Sequence, residues 1–220
     1  MRINECRSRK SMMQVWFLAL IMSGAPALLA PHCIADDRPA SHSSASVLRS
    51  ASELDYPPFA LVSEDGSADG FSVALLAAVC RAVGLEIDFK VGPWHEIKQE
   101  LAEGRLDVLP LVSYSTARDR HFDFTTPYLR LHGTIFVRRG NTAIHGEADL
   151  KGREVLVMRG DTAHEYAKSR QLTDRLILTD SYAEAMRRLA AGEHDAVIVQ
   201  HLVGLQLIKQ LNLSNLVSVQ

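Results

Sequence analysis

A short segment between residues 113 and 128, SYSTARDRHFDFTTPY, carries side chains suited to binding an anion. It follows the apolar run LDVLPLV, which predicts a strand, so its first polar residues come at that strand's carboxyl end. Ser113 and Ser115 offer hydroxyl groups, and Arg118 offers a planar guanidinium that can donate two parallel hydrogen bonds to one carboxylate. A charged arginine on the protein surface fits the same residues, and the segment alone does not separate the two interpretations.

A second candidate anion site is the segment RGDTAHEY, residues 159–166. The pattern predicts a turn from a strand into a helix, in which Gly160 permits close approach to the backbone and Asp161 or Thr162 is the N-cap. The free backbone N–H groups at such a helix start can bind an anion. A helix that is capped and binds nothing explains the residues equally.

The third candidate is an aromatic pair in ELDYPPFALV, residues 53–62. Tyr56 and Phe59 follow the first predicted strand and are stiffened by two consecutive prolines. Such rings can stack on a ligand or pack into a core. We expect Tyr56 to face a ligand and Phe59 to face the core.

Catalytic and metal-binding motifs are absent from the sequence. The nine histidines and three cysteines include no His-x-x-x-His or Cys-x-x-Cys spacing, and there is no glycine-rich phosphate loop or Gly-x-Ser-x-Gly elbow. The net charge is −2 with no basic block, which argues against nucleic acid as a partner. We therefore predict no catalytic residues, no metal site and no cofactor.

The first 35 residues have the pattern of a secretory signal peptide. Four basic residues precede an apolar run from Met12 to Ala30, and Cys33-Ile34-Ala35 supplies small residues for cleavage after Ala35. An uncleaved membrane anchor is the alternative, because the apolar run is nearly long enough to span a bilayer. Both alternatives export the remainder, which we expect to be periplasmic. Residues 36–46, DDRPASHSSAS, predict a polar linker.

From Val47 onward, short apolar runs alternate with amphipathic segments about ten residues long. This alternation predicts an α/β fold with largely parallel sheets. A strand-like crossover, GTIFVRRG, separates two such sets. We predict two lobes, residues 47–137 and 138–220, with a ligand site between them.

Seven short motifs follow the linker in a fixed order: YPPF, DGF, GRLDV, S-x-S-x-x-R with FDFTTPY, DLKG, RGDT and GEHDAV. This ordered set resembles the amino-acid-type (family 3) periplasmic solute-binding proteins over the whole stretch from Val47 to Gln220. The resemblance implies the two-lobed Venus flytrap fold, which closes on a small carboxylate or amino-acid-like ligand. It also implies that Arg118 holds the ligand's α-carboxylate with help from Ser113 and the turn Gly160–Thr162, and that Tyr56 covers the ligand's side chain.

The sequence departs from the family pattern at three places, one of which is Pro110 and Leu111, where family members often carry small polar residues that help to bind the ligand. Gln200 stands where family members that bind ordinary amino acids carry an aspartate for the ligand's ammonium, so Asp161 or Glu53 would have to replace that carboxylate. Family members also continue through a second crossover and a C-terminal helix that returns to lobe one. The resemblance therefore implies a module whose C-terminal return to lobe one is missing.

Sequence segments of the second lobe, such as VMRGDTAHEY, are similar to those of sensory versions of the module. We predict a non-enzymatic binding module that works with a sensor output domain or a membrane permease of an ABC transporter. The alternative is a periplasmic enzyme on the same scaffold, similar to cyclohexadienyl dehydratase, with Glu53 as its acid or base.

Overall fold

The computed structural model describes residues 47–219, all of which belong to one compact unit, His42–Gln220. The predicted signal peptide, residues 1–35, and the predicted linker, residues 36–46, lie outside the described residues. Strands and helices are numbered below in chain order.

The first lobe begins with β1 (Leu48–Glu53) and a small antiparallel sheet made of β2 (Asp55–Tyr56), β3 (Ala60–Val62) and β4 (Ala68–Asp69). Helix α1 (Phe71–Ala82), strand β5 (Ile87–Gly92) and helix α2 (Trp94–Ala102) follow. Strands β1 and β5 pair in parallel, as expected for strands joined through a helix. The carboxyl end of β1 therefore lies beside the start of α2.

The second lobe contains β6 (Gly133–Arg138), β7 (Glu154–Met158), α3 (Thr162–Ser169), β8 (Arg175–Thr179), α4 (Tyr182–Ala191), β9 (Ala196–Gln200), α5 (His201–Gln210) and β10 (Leu216–Ser218). Its five strands form one sheet in the order β10-β6-β9-β7-β8. The pairs β7-β8 and β7-β9 are parallel, whereas β6 pairs with β9 and β10 in antiparallel fashion. The carboxyl ends of β7 and β9 consequently lie next to each other.

Both faces of this sheet are covered, which explains the unbroken apolar runs of its central strands. Leu156 and Val197 pack with the helices α4 and α5 in one core cluster. Val155 and Val157 point to the opposite face, where they pack with Ala167 of α3. All four side chains are fully buried.

Close helix–sheet packing requires a glycine on α5. A Cβ atom added at Gly204 would collide with the ring of Phe136 on β6. Phe136 is fully buried, so its ring has no free space into which it could move. Gly204 thus lets α5 approach the sheet at the crossover strand.

Two details of the predicted organisation differ from the structure. The segment LDVLPLVS does not form a regular strand and makes a single isolated bridge, between Val108 and Ser50. Pro110 lacks an N–H group and the segment is only partly buried, so a continuous ladder is not maintained. The boundary predicted after residue 137 falls inside β6, whose pairing with β9 places it in the second sheet.

The predicted fold class is confirmed: the chain forms an α/β structure of two lobes, with two small sheets in lobe one and one five-stranded sheet in lobe two. The expectation of largely parallel sheets holds for β1-β5 and β7-β8-β9 and fails for the β2-β3-β4 sheet and for β6 and β10. None of the helices within residues 47–219 is both long enough and apolar enough to cross a membrane.

Candidate functional site

A cavity of about 530 Å³ is lined by side chains from both lobes. Lobe one contributes Tyr56 and Ser113, and lobe two contributes the rest of the wall. Among the lining residues are five of the nine predicted from the sequence: Tyr56, Ser113, Asp161, Thr162 and Gln200. The other four, Glu53, Ser115, Arg118 and Gly160, are not part of the cavity wall.

The lobe-two residues converge because two neighbouring parallel strands end at the same edge of the sheet. Asp161 and Thr162 follow β7 through Gly160, whose positive φ of 72° turns the chain into α3. Gln200 is the last residue of β9. Its side-chain oxygen accepts a hydrogen bond from the backbone N–H of Val203 at 2.9 Å, so Gln200 also caps the start of α5.

Tyr56 and Phe59 have separate environments. Tyr56 lines the cavity, and its ring packs at 6.4 Å from the ring of Phe59 and at 6.1 Å from that of Tyr182. Phe59 is buried in the core and does not line the cavity. Burial raises the pKa of the Tyr56 hydroxyl well above its usual value, with a further increase from the charge of Asp161.

The carboxylate of Asp161 is fixed by a tyrosine within the same lobe. The hydroxyl of Tyr182 donates a hydrogen bond to Asp161 Oδ2 at 2.5 Å, and the side chain of Asp161 makes no capping bond to α3. Tyr182 is fully buried, and burial raises the pKa of its hydroxyl well above the usual value. Asp161 therefore presents a negative charge in a fixed position on the cavity wall.

Glu53 lies at the end of β1 and is 9% exposed. Its Oε2 atom has no hydrogen-bond partner among residues 47–219. Burial raises the pKa of this carboxyl well above its usual 4.5, and the neighbouring charges of Asp161 and Asp55 raise it further. The site thus contains two buried acidic side chains, Asp161, which accepts a hydrogen bond from Tyr182, and Glu53, whose Oε2 has no partner among residues 47–219 and which favours its protonated form.

Arg118 is 4% exposed, so it is not a surface charge. Its guanidinium pairs with Glu165 on α3 of the opposite lobe, with Nε to Oε2 and Nη2 to Oε1 both at 3.1 Å. Nη1 donates to the backbone oxygen of Ser113 at 3.2 Å, and the guanidinium lies 5.5 Å from the centre of the Trp94 ring. The donors of the predicted anion anchor are therefore occupied by a carboxylate of the protein itself.

The backbone oxygen of Gly160 is a second point of contact between the lobes. It accepts hydrogen bonds from Trp94 Nε1 at 2.9 Å, from Lys98 Nζ at 2.7 Å and from Arg118 Nη2 at 3.2 Å. Lys98 Nζ also lies 3.3 Å from Glu165 Oε1. Three donors from lobe one thus meet the turn of lobe two that the sequence indicated as an anion site.

A third contact between the lobes involves Asp55 of β2. Its Oδ2 atom accepts a hydrogen bond from the backbone N–H of Ala183 at 2.6 Å, at the first turn of α4. A carboxylate at a helix N-terminus is favoured by both the free N–H groups and the helix dipole. Burial nevertheless raises the pKa of Asp55 above its usual value.

Ser115 has a local structural role. Its hydroxyl oxygen accepts a hydrogen bond from the backbone N–H of Arg118 at 3.2 Å, at the start of a short 3₁₀ turn spanning Arg118–Arg120. It therefore helps to orient the arginine and does not reach the cavity.

Several functional candidates were not predicted from the sequence. Glu165 carries no local signal apart from its position four residues after Asp161, one helical turn into α3. His132, His145 and Glu147 line the cavity from the crossover strand and the loop after β6, and Glu147 accepts a hydrogen bond from the Tyr166 hydroxyl at 3.0 Å. Residues 47–219 contain no cluster of three or more side chains arranged to hold a metal ion.

The chain is similar to several known proteins. The L-cystine-binding protein TcyJ of Escherichia coli is 30% identical over 159 residues, which cover 71% of this chain and 60% of that protein. The L-arginine-binding protein of Pseudomonas aeruginosa is 30% identical over 185 residues, covering 82% of this chain and 68% of that protein. A histidine kinase sensor domain with similarity to periplasmic binding proteins superposes with a TM-score of 0.76 at 36% identity, covering 79% of this chain and 76% of that one.

These relatives are described as binding proteins and as a sensor domain. The chain spans about 60% of the length of the cystine-binding protein. Residues 48–189 match the family described as bacterial extracellular solute-binding proteins, family 3. The chain therefore belongs to the bacterial extracellular solute-binding proteins of family 3.

Proposed function

We propose that this protein is an exported binding module for a small amino-acid-like ligand with a positive charge. The observation that carries the proposal is the 530 Å³ cavity, because side chains from both lobes line it. A ligand that contacts both lobes favours the arrangement in which they are close together. Such a module operates as a sensor input domain or as the binding protein of a transporter.

The charges around the cavity support a cationic group on the ligand. Asp161 and Glu147 line the wall. No lysine or arginine is among the described residues that line the cavity. A buried ammonium or guanidinium needs a carboxylate partner, and Asp161 replaces the one that Gln200 cannot provide.

The ligand's carboxylate is assigned to Arg118, which is adjacent to Ser113 and Gly160. A guanidinium held in place by backbone and aromatic contacts binds a carboxylate with little loss of side-chain freedom. Such a charge-assisted hydrogen bond contributes about 2 kcal/mol where the guanidinium is free, and less where the ligand must displace Glu165. Thr162 has a buried hydroxyl without a hydrogen-bond partner among residues 47–219, which fits a polar ligand atom at the start of α3.

The comparisons support both biological settings for this module. Relatives named for binding L-cystine and L-arginine support uptake of an amino acid, whereas the histidine kinase sensor domain supports signalling. We place the protein in the periplasm, with its signal peptide cleaved after Ala35, and its partners are a membrane permease or a sensor output domain.

A thermal-shift screen of the purified protein tests the proposal with L-arginine, L-lysine, L-glutamine, L-glutamate, putrescine and succinate. At 100 times its Kd a ligand adds about 2.7 kcal/mol, which raises Tm by about 5–10 °C for a domain of this size. We expect L-arginine or L-lysine to give the largest rise and L-glutamate none. The absence of a rise in Tm with every compound, or a larger rise with acidic compounds than with cationic ones, would contradict the proposal.

Two variants assign the ligand contacts. Arg118→Ala should abolish the ligand-induced rise measured from the variant's own baseline, and Asp161→Asn should remove the preference for cationic ligands. Arg120→Ala is the matched control, because Arg120 is exposed on the same 3₁₀ turn.

A second candidate function is an enzyme on the same scaffold, favoured by Glu53. A buried carboxyl with a raised pKa stays protonated and can act as a general acid. Turnover of prephenate by the wild-type protein, lost in Glu53→Gln, would establish this alternative.

A further inference from the structure

We propose that Glu165 is a built-in competitor of the ligand: its carboxylate occupies Arg118 and thereby links the two lobes. This inference rests on the proposed function only in assigning the ligand's carboxylate to Arg118. The link between the lobes is a feature of the described residues themselves.

The geometry of the pair is that of a bound carboxylate. Both oxygens of Glu165 lie 3.1 Å from guanidinium nitrogens of Arg118, Oε2 from Nε and Oε1 from Nη2. Parallel contacts of this kind are how arginine recognises free carboxylates. Glu165 thus presents to Arg118 the same group that an amino-acid ligand would bring.

The partners are placed on different lobes by different elements. Arg118 lies on the 3₁₀ turn Arg118–Arg120, and Glu165 lies in the first turn of α3. Separation of the lobes therefore breaks the pair, and formation of the pair draws α3 toward lobe one. A side chain with this placement acts as a latch as well as a competitor.

The two side chains of the pair are buried to different extents, which indicates how a ligand's carboxylate would replace that of Glu165. The Arg118 side chain is 4% exposed, whereas that of Glu165 is 36% exposed. The guanidinium is fixed by Ser113 and by the Trp94 ring, so it does not need to move during exchange. Glu165 can swing into solvent and be replaced by another carboxylate at modest cost.

Lys98 reinforces the latch from lobe one. Its ammonium lies 3.3 Å from Glu165 Oε1 and donates to the Gly160 oxygen at 2.7 Å. Two cations therefore face one carboxylate, and removing Glu165 leaves both without that counter-charge. The variant protein should open because both ion pairs that join α3 to lobe one are lost, and it should also bind an external carboxylate more tightly.

The size of the effect on affinity follows from the population of latched molecules. If the latch is closed in about 90–99% of molecules, apparent affinity for a competing carboxylate falls about 10- to 100-fold. Glu165→Gln and Glu165→Ala should recover that factor. Glu184→Gln is the matched control. It removes the same charge from lobe two, but Glu184 pairs with Arg188 within that lobe.

The experiment has two arms that use all four proteins, the wild type and the three variants. Small-angle scattering without added amino acid should give a larger radius of gyration for both Glu165 variants than for wild type and Glu184→Gln. Titration calorimetry with L-arginine should give tighter binding for both Glu165 variants, by about 10- to 100-fold. Far-UV circular dichroism checks that each variant is folded.

The outcomes separate the latch from the proposed function. Unchanged radii for both Glu165 variants, or unchanged or weaker L-arginine binding, overturn the latch and leave the proposed function standing. Larger radii, with no L-arginine binding detected for any of the four proteins and no rise in Tm with any compound of the screen, support the link between the lobes and overturn the proposed function; the criterion of unchanged binding applies only where binding is detected.

Discussion

Replacement of Glu53 by glutamine should stabilise the protein increasingly as the pH rises. The buried carboxyl has no partner for Oε2 among residues 47–219, and burial raises its pKa well above 4.5. In the unfolded chain the same group ionises near pH 4.5. Between these two pKa values the folded state holds one proton more than the unfolded state, so its stability declines with rising pH.

The magnitude follows from this single proton. The free energy of unfolding decreases by about 1.4 kcal/mol for each pH unit between 4.5 and the folded pKa of Glu53. Glutamine has nearly the same shape as glutamate and cannot ionise, so the free energy of unfolding of the variant does not decrease in this way. The two proteins should be about equally stable near pH 4, and the variant should gain about 1.4 kcal/mol over wild type per pH unit above pH 5.

Urea unfolding at a series of pH values measures this difference directly. Other groups titrate too, since hydrogen bonds lower the pKa of Asp65 and that of Asp107 to about 2. Their contributions are present above the unfolded pKa and are lost in acid, but they are identical in the two proteins and cancel. Glu64→Gln, at an exposed position of the same lobe, is the control. Parallel stability curves for wild type and Glu53→Gln would refute the reasoning.

Three further substitutions test packing and the contacts between the lobes, each by urea unfolding. Gly204→Ala should lose about 1–3 kcal/mol because its methyl group collides with the Phe136 ring, and an unchanged stability would mean that α5 can move away. Asp55→Asn should lower the free energy of unfolding by about 1 kcal/mol because the negative charge at the N-terminus of α4 disappears. A higher free energy of unfolding would show that the cost of burying this charge exceeds the stabilisation that it gives the helix. Trp94→Phe should lower the free energy of unfolding by about 1 kcal/mol, because the hydrogen bond from the indole N–H to the Gly160 oxygen is removed. An unchanged free energy of unfolding would show that this contact does not stabilise the protein.

The sequence predicts the parts of the site that depend on local chemistry. The turn from β7 into α3 was expected because Gly160 and Asp161 are typical of a strand-to-helix junction, and both lie in that turn. The ordered motifs also predicted the two-lobed fold. In the turn, one segment of chain contains all the residues that determine its structure, whereas the fold was implied by the family resemblance of motifs spread over residues 47–220.

Features that depend on distant segments were not predicted. The contact between Arg118 and Glu165 joins residues 47 positions apart in the sequence, and no periodic pattern relates them. The segment around Pro110 has the composition of a strand, but a strand needs neighbours that supply a ladder of hydrogen bonds. Contacts between distant segments determine both the Arg118–Glu165 pair and the irregular structure around Pro110, and a single sequence does not show such contacts.

Under the proposed function, ligand selectivity follows from an exchange of carboxylates at Arg118. A ligand that displaces Glu165 replaces one charge-assisted pair at Arg118 with another of the same kind, so this bond adds little net free energy to binding. The discriminating contacts must then come from groups that have no partner to lose. The Thr162 hydroxyl, which has no hydrogen-bond partner among residues 47–219, meets this condition, whereas Asp161 on the same wall already accepts a hydrogen bond from Tyr182 through Oδ2. Under the proposed function, Arg118 therefore sets the threshold for binding, and the wall of lobe two selects the ligand.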